Sequence, residues 1–321
     1  MSAPGARVSL VVGAGGLLGT ALSTALRAHG DHVVAAAPVA WTTRRAGADL
    51  RAVVRRLADT VAETQSPWRV AWCAGAGVTG TGEDVLDQEV ETLSRFLADL
   101  AAEPRLGRGT FFLASSAGAL YAGCGREGPF DETVEPRPIS AYGHAKLAAE
   151  RAAGEFAAAT GSQVLIGRIA NLYGPNQDLA KAQGLISHLC RGYLTRQPVS
   201  IYVALDTIRD YLFVDDCAAM VADMLDNSSA YQPDGVAMIV KVLASGQPTT
   251  IATLITVCRQ VFKRPPRLVL GTSTQARLQV RDLRLRSVCW PQLDRRSLTC
   301  LPAGIAATVA GMRRANQISL D

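Results

Sequence analysis

Residues 7–30, RVSLVVGAGGLLGTALSTALRAHG, constrain the fold more than any other part of this chain. A β-branched run at 7–12 passes directly into GAGGLLG and then into a helical pattern, with Gly30 placed to end it. The order is therefore strand, glycine turn, helix. Gly13, Gly16 and Gly19 are spaced GxxGxxG rather than the GxGxxG of the common dinucleotide fingerprint. Glycines permit a tight turn and close backbone approach, and the helix N-terminus that follows favours a pyrophosphate. Its position directly after the first strand favours a cofactor turn over a plain connection.

The alternation continues downstream. HVVAAA at 32–37 reads as the second strand, whose end normally carries an acid for the ribose 2′-OH. Here it ends in Ala36, Ala37 and Pro38, with Arg44 and Arg45 a few residues on. A missing carboxylate with guanidinium groups nearby favours NADP over NAD, because a 2′-phosphate needs a cation. Helical spacing follows over 48–65, then the strand WRVAWC at 68–73, which runs into Ala74, Gly75 and Ala76. That second glycine-rich strand end is expected to pass close to the dinucleotide. A helix over 83–103, a strand at 110–114 ending in Ser115 and Ser116, a helix to about 160 and a strand at 164–170 complete the pattern. It predicts an α/β protein with a doubly wound parallel sheet. Beyond Gly174 short strands, helices, Pro and Gly mix, which predicts a smaller lobe against the strands' C-terminal edge.

Composition narrows the functions. The net charge of +5 is spread along the 321 residues with no basic block, which argues against nucleic-acid binding and suits a small anionic substrate. Seven cysteines form no CxxC pair and the four histidines sit at no zinc-finger spacing, so neither a disulfide framework nor a metal site is expected. No run reaches the roughly 20 apolar residues of a membrane span. The expectation is a soluble, cytoplasmic protein.

ISAYGHAKLAAE at 139–150 carries the chemistry. Tyr142 and Lys146 stand one helical turn apart on the same face. An ammonium beside a phenol favours the phenolate and draws the tyrosine down from about 10. Such a tyrosine exchanges a proton with an alcohol or carbonyl near neutral pH.

Five ordered motifs, GAGGLLG, SSAGALYAG, PFDETVEPRPISAYGHAK, RIANLYGP and DTIRDYLFVDD, resemble the nucleotide-sugar epimerase/dehydratase branch of the extended short-chain dehydrogenase/reductase family. The resemblance implies a Rossmann domain over 1–174, to which later segments return, and a smaller substrate-binding lobe over 175–321. It implies a nicotinamide dinucleotide held by Gly13, Gly16, Leu17, Leu18, Gly19, Arg44, Arg45, Ala74, Gly75, Ala76, Ser115, Tyr142, Lys146 and Ile169. Tyr142 would be the acid/base and Lys146 would hold the nicotinamide ribose. Ser116, or else Ser115, would hydrogen-bond the sugar oxygen; the family more often has one residue fewer before the aromatic matching Tyr121. Asn171, Arg209 and Arg281 would face the nucleotide-sugar diphosphate and Leu185 would line the substrate site, while Asp215 and Asp216 would cap a helix. The family's usual partner is a second copy, paired through helices 83–103 and 142–158 into a four-helix bundle. Ala117 and Gly118 replace the Asp–Glu pair of the 4,6-dehydratases. The expected activity is epimerisation of an NDP-sugar, at C4; an NADPH-dependent keto-sugar reductase and a non-catalytic dinucleotide-binding protein are the alternatives.

Overall fold

All five residues of β1 (Val8–Val12) are buried, as a strand covered on both faces requires. The computed structural model describes residues 7–36, 38–41, 43, 45–125, 127–179, 184–228, 237–272 and 279–318. β2 (His32–Val33), β3 (Trp68–Trp72), β4 (Thr110–Ser116), β5 (Gln163–Ile169) and β9 (Met238–Leu243) join β1 in a six-stranded sheet ordered β2-β1-β3-β4-β5-β9. Every pairing in it is parallel.

Apolar stripes on helices cover both faces. α1 (Leu17–Ala28) and α7 (Val214–Asn227) pack on one side through Leu18, Leu22, Leu26, Met220 and Met224. On the other side lie α2 (Ala46–Thr64), α3 (Glu83–Ala102) and α5 (Ala141–Thr160), which contribute Leu50, Val53, Leu93, Phe96 and Phe156. This is the expected doubly wound architecture.

One boundary differs from the sequence expectation. β2 spans two residues rather than six, because only its start lies alongside β1 and the chain then turns away towards Pro38. α2 and β3 lie where the sequence places them, and among the described residues no strand stands outside β2, where the common doubly wound order has one.

The remaining elements gather at the C-terminal ends of these strands. β6 (Asn171–Tyr173), β8 (Ile208–Phe213) and β10 (Pro248–Thr250) form a three-stranded sheet, and β7 (Val199–Ile201) pairs with β11 (Leu268–Leu270). α6 (Leu185–Thr195), α8 (Ile251–Phe262) and α9 (Leu301–Ile318) enclose a third core around Tyr173, Leu189, Phe213, Leu254 and Ile305. The chain therefore crosses back: β9 completes the large sheet. Its fully buried Lys241 donates to Ser287 Oγ, Cys289 O and Asp294 Oδ2 at 2.6–2.8 Å, tying a late segment to that strand.

Candidate active site

The glycine turn is built as a cradle. Gly13 has φ +86°, and a Cβ there would meet Ala74 N at 2.6 Å, so β1 and the end of β3 touch backbone to backbone. A Cβ on Gly19 would fall 2.1 Å from Gly13 O, which brings α1 hard against the turn. Gly15 faces open space. α1 starts at Leu17 with no side-chain cap and no acid in its first turn, which leaves N–H groups and positive dipole directed at the opening. The structure thus brings Gly13, Gly16, Leu17, Leu18 and Gly19 together at an opening whose N–H donors suit an anionic group.

Ala74, Gly75 and Ala76 form the opposite lip, and a residue that sequence reasoning missed holds it. Glu89 on α3 accepts from Ala76 N at 2.7 Å and from Gly77 N at 2.8 Å. Its other oxygen lies over the glycines: a Cβ on Gly77 would be 3.2 Å from Glu89 Oε2 and 3.6 Å from Tyr142 Cδ2. One on Gly75 would be 3.6 Å from the same oxygen and 3.7 Å from Lys146 Nζ. Glu89, Tyr142 and Lys146 thus share one glycine-lined wall. No motif marks Glu89; on its helix it is one acid among several.

α5 presents the pair as expected. Ser140 caps the helix by accepting from Gly143 N at 3.1 Å, which fixes Tyr142 in the first turn. Lys146 Nζ lies 5.7 Å from the Tyr142 ring centroid and donates to Ala114 O at 3.4 Å. Cys73, at the end of β3, is pushed up to about 12 by burial against a smaller lowering by Lys146, so its thiol stays neutral.

The two serines separate clearly. Ser115 is buried and donates to Glu150 Oε1 at 2.6 Å; Arg168 grips both oxygens of that carboxylate, at 3.1 and 2.8 Å, and reaches Tyr121 Oη. Ser116 is half-buried and accepts weakly from Ala119 N at 3.4 Å as the cap of α4 (Ala117–Leu120). Its hydroxyl proton is uncommitted to that contact. Ile169 closes β5 opposite Ser116.

In the smaller lobe, Arg209 is 7% exposed, and its guanidinium donates only to Ile208 O, Val280 O and Gln279 Oε1 among the described residues. Burial lowers its pKa, as expected for a cation without a carboxylate. Asn171 donates to Asp210 O at 3.0 Å, and Leu185 opens α6. Arg281 is different: it is exposed and ion-paired with Asp206. Asp215 and Asp216 stand in the first turn of α7 without capping it, and Asp216 instead accepts from Thr299 N at 2.8 Å. Arg45 is exposed at the start of α2, and Arg44 lies outside the described residues. No cluster of metal-binding side chains occurs among the described residues.

Comparisons with known proteins bear on the family and the fold. The NAD dependent epimerase/dehydratase family matches residues 9–239, and the chain belongs to that family. Its sequence is 29% identical over 141 residues to a dTDP-L-rhamnose 4-epimerase of Burkholderia thailandensis, covering 44% of this chain and 37% of that protein. A probable dTDP-glucose 4,6-dehydratase of Sinorhizobium fredii is 31% identical over 131 residues, covering 40% and 35%. These matches span little more than a third of the curated relatives' own length. In fold, the chain is similar to the UDP-glucose 4-epimerase of Thermotoga maritima with UDP-glucose: TM-score 0.77, 22% identity, 97% of this chain and 99% of that one. It is also similar to MoeE5 in complex with UDP-glucuronic acid and NAD, with TM-score 0.76, 23% identity, and 96% and 99% covered.

Proposed function

We propose that this chain epimerises a nucleoside-diphosphate sugar, at C4, through a transient keto-sugar. The observation that carries the reading is the Tyr142–Lys146 pair on the glycine wall that faces the α1 cradle. A bound nicotinamide dinucleotide would supply the hydride acceptor and donor. Tyr142 takes the proton of the sugar hydroxyl and later returns it. Ser116 hydrogen-bonds the same oxygen, since Ser115 is engaged by Glu150. Lys146 holds the nicotinamide ribose. Asn171 and Arg209 receive the diphosphate, whose charge would answer the buried guanidinium, and Leu185 lines the substrate site. Arg281 contributes once it leaves Asp206.

Elimination of water is not favoured. Ala117 is fully buried, and a Cβ on Gly118 would lie 3.2 Å from Leu283 Cδ2, so the two positions offer neither an acid nor a base. One observation supports a second reading, an NADPH-dependent keto-sugar reductase: no acid stands at the end of β2, and Arg45 is exposed nearby. The structural relatives named MoeE5 and the Thermus thermophilus UDP-glucose 4-epimerase carry NAD, which favours NAD in a recycling role. The working form would be a cytoplasmic homodimer with α3 and α5 paired against their copies; Val85 on α3 is 55% exposed there.

The test is purified protein with UDP- and dTDP-hexoses, following epimer formation and NADPH consumption separately. Tyr142→Phe is expected to lower turnover about 10²–10⁴-fold while the dinucleotide still binds. Retained activity in that variant would overturn the proposal.

A further inference from the structure

We infer that Trp41 is the platform on which the adenine ring of the dinucleotide stacks, an assignment that rests on the dinucleotide reading above. In a doubly wound fold the pyrophosphate sits at the first glycine turn and the adenosine lies towards the end of the second strand. That region is unusual here. β2 stops at Val33, among the described residues no strand lies outside it, and residues 34–36 offer no carboxylate for the ribose. The adenosine must therefore be held by something other than the usual acid.

Trp41 stands where that something is needed. Its indole meets Trp72 edge to face, with ring centroids 6.1 Å apart. Trp72 ends β3, and Ala74, two residues later, is the backbone that touches Gly13 of the cradle. The indole is thus carried on the strand beside the pyrophosphate turn. Trp72 is itself backed by Phe96 at 5.0 Å, so the support is rigid. The loop is also pinned: Ala40 N donates to Asp49 Oδ2 at 3.0 Å, and Thr43 N to Ala40 O at 3.0 Å.

Despite those anchors, Trp41 is 45% exposed. Trp41 and Tyr202 are the aromatic side chains left exposed among the described residues, and Tyr202 lies in the other lobe. A T-shaped contact with Trp72 covers at most one face of the Trp41 indole, and the 45% exposure leaves π surface free for a base. Stacking on an aromatic ring accepts any purine face without hydrogen-bond readout, which suits a pocket that has lost its polar anchor.

The experiment uses full-length protein stripped of retained nucleotide, with calorimetry and tryptophan fluorescence. ADP-ribose, which carries the adenine and no nicotinamide, is expected to quench wild-type fluorescence; nicotinamide mononucleotide is not. Trp41→Ala is expected to bind NAD and ADP-ribose about ten- to a hundredfold more weakly. Trp41→Phe should restore affinity to within about threefold while losing the quench, which separates stacking from loss of fold. Unchanged or tighter binding in Trp41→Ala, with wild type binding NAD, overturns this inference alone. If wild type binds neither NAD, NADP nor ADP-ribose, the dinucleotide reading falls, and this inference with it.

Discussion

Ser115 donates a 2.6 Å hydrogen bond to Glu150, and that one contact decides between two serines adjacent in sequence. Ser115 and Glu150 are both buried, and Glu150 is held in turn by Arg168. Ser115 therefore belongs to a closed network between β4, α5 and β5, while Ser116 is left at the mouth.

The two alanine variants should separate accordingly. Ser115→Ala leaves a buried carboxylate oxygen short of a donor and is expected to cost about 1–3 kcal/mol of stability. Ser116→Ala should change stability by less and lower turnover by about 10-fold or more. Thermal melting and epimerase assays of both check this; the reverse pattern would reassign the catalytic hydroxyl.

Glu89 couples the lip of the cleft to α3. Glu89→Ala leaves the N–H groups of Ala76 and Gly77 without their acceptor. Dinucleotide affinity is expected to fall about tenfold, consistent with roughly 1–2 kcal/mol for bonds to a charged group. Glu89→Gln, which keeps an acceptor oxygen, should lose less. Calorimetric titration of both variants with NAD measures the difference.

Arg209 is expected to govern nucleotide affinity. Arg209→Lys retains the charge and loses the fork that meets two phosphate oxygens. UDP or dTDP should bind at least tenfold more weakly by calorimetry, with the dinucleotide affinity unchanged.

Asp210 makes stability depend on pH in an unusual direction. It is fully buried, Oδ1 accepts from Ser245 N and Oγ, and Oδ2 has no partner among the described residues. Burial pushes its pKa up to about 6, against an ordinary 3.8, with the Ser245 bonds opposing. The folded state thus holds the proton more tightly than the unfolded state. Stability from this group rises as pH falls from about 7 towards 4, by roughly 3 kcal/mol. Asp131 and Asp226 act in the opposite sense. Burial alone would raise both, but hydrogen bonds from Thr133 and Arg286 to the first, and from His29 and Arg69 to the second, hold them low. Urea unfolding of wild type and Asp210→Asn across pH 4–8 isolates the term: the difference between them should slope with pH, and a flat difference would refute it.

Much of this molecule is legible without coordinates. The 7–30 pattern specifies strand, turn and helix because periodicity and glycine placement are local properties, and the ordered motifs point to the family to which the chain belongs. Tyr142 and Lys146 share a face because helical geometry alone puts them there. What residues far apart in the chain do to one another was not legible. Only the tertiary structure engages Ser115 through Glu150, brings Glu89 to the glycine lip, leaves Arg209 buried without an acid among the described residues and pairs Arg281 with Asp206. It also shortens β2 to two residues, although the β-branched start of that stretch was plain. Strand length depends on a neighbour to pair with, and hydrogen bonds across long sequence separations follow from packing rather than from any spacing along the chain.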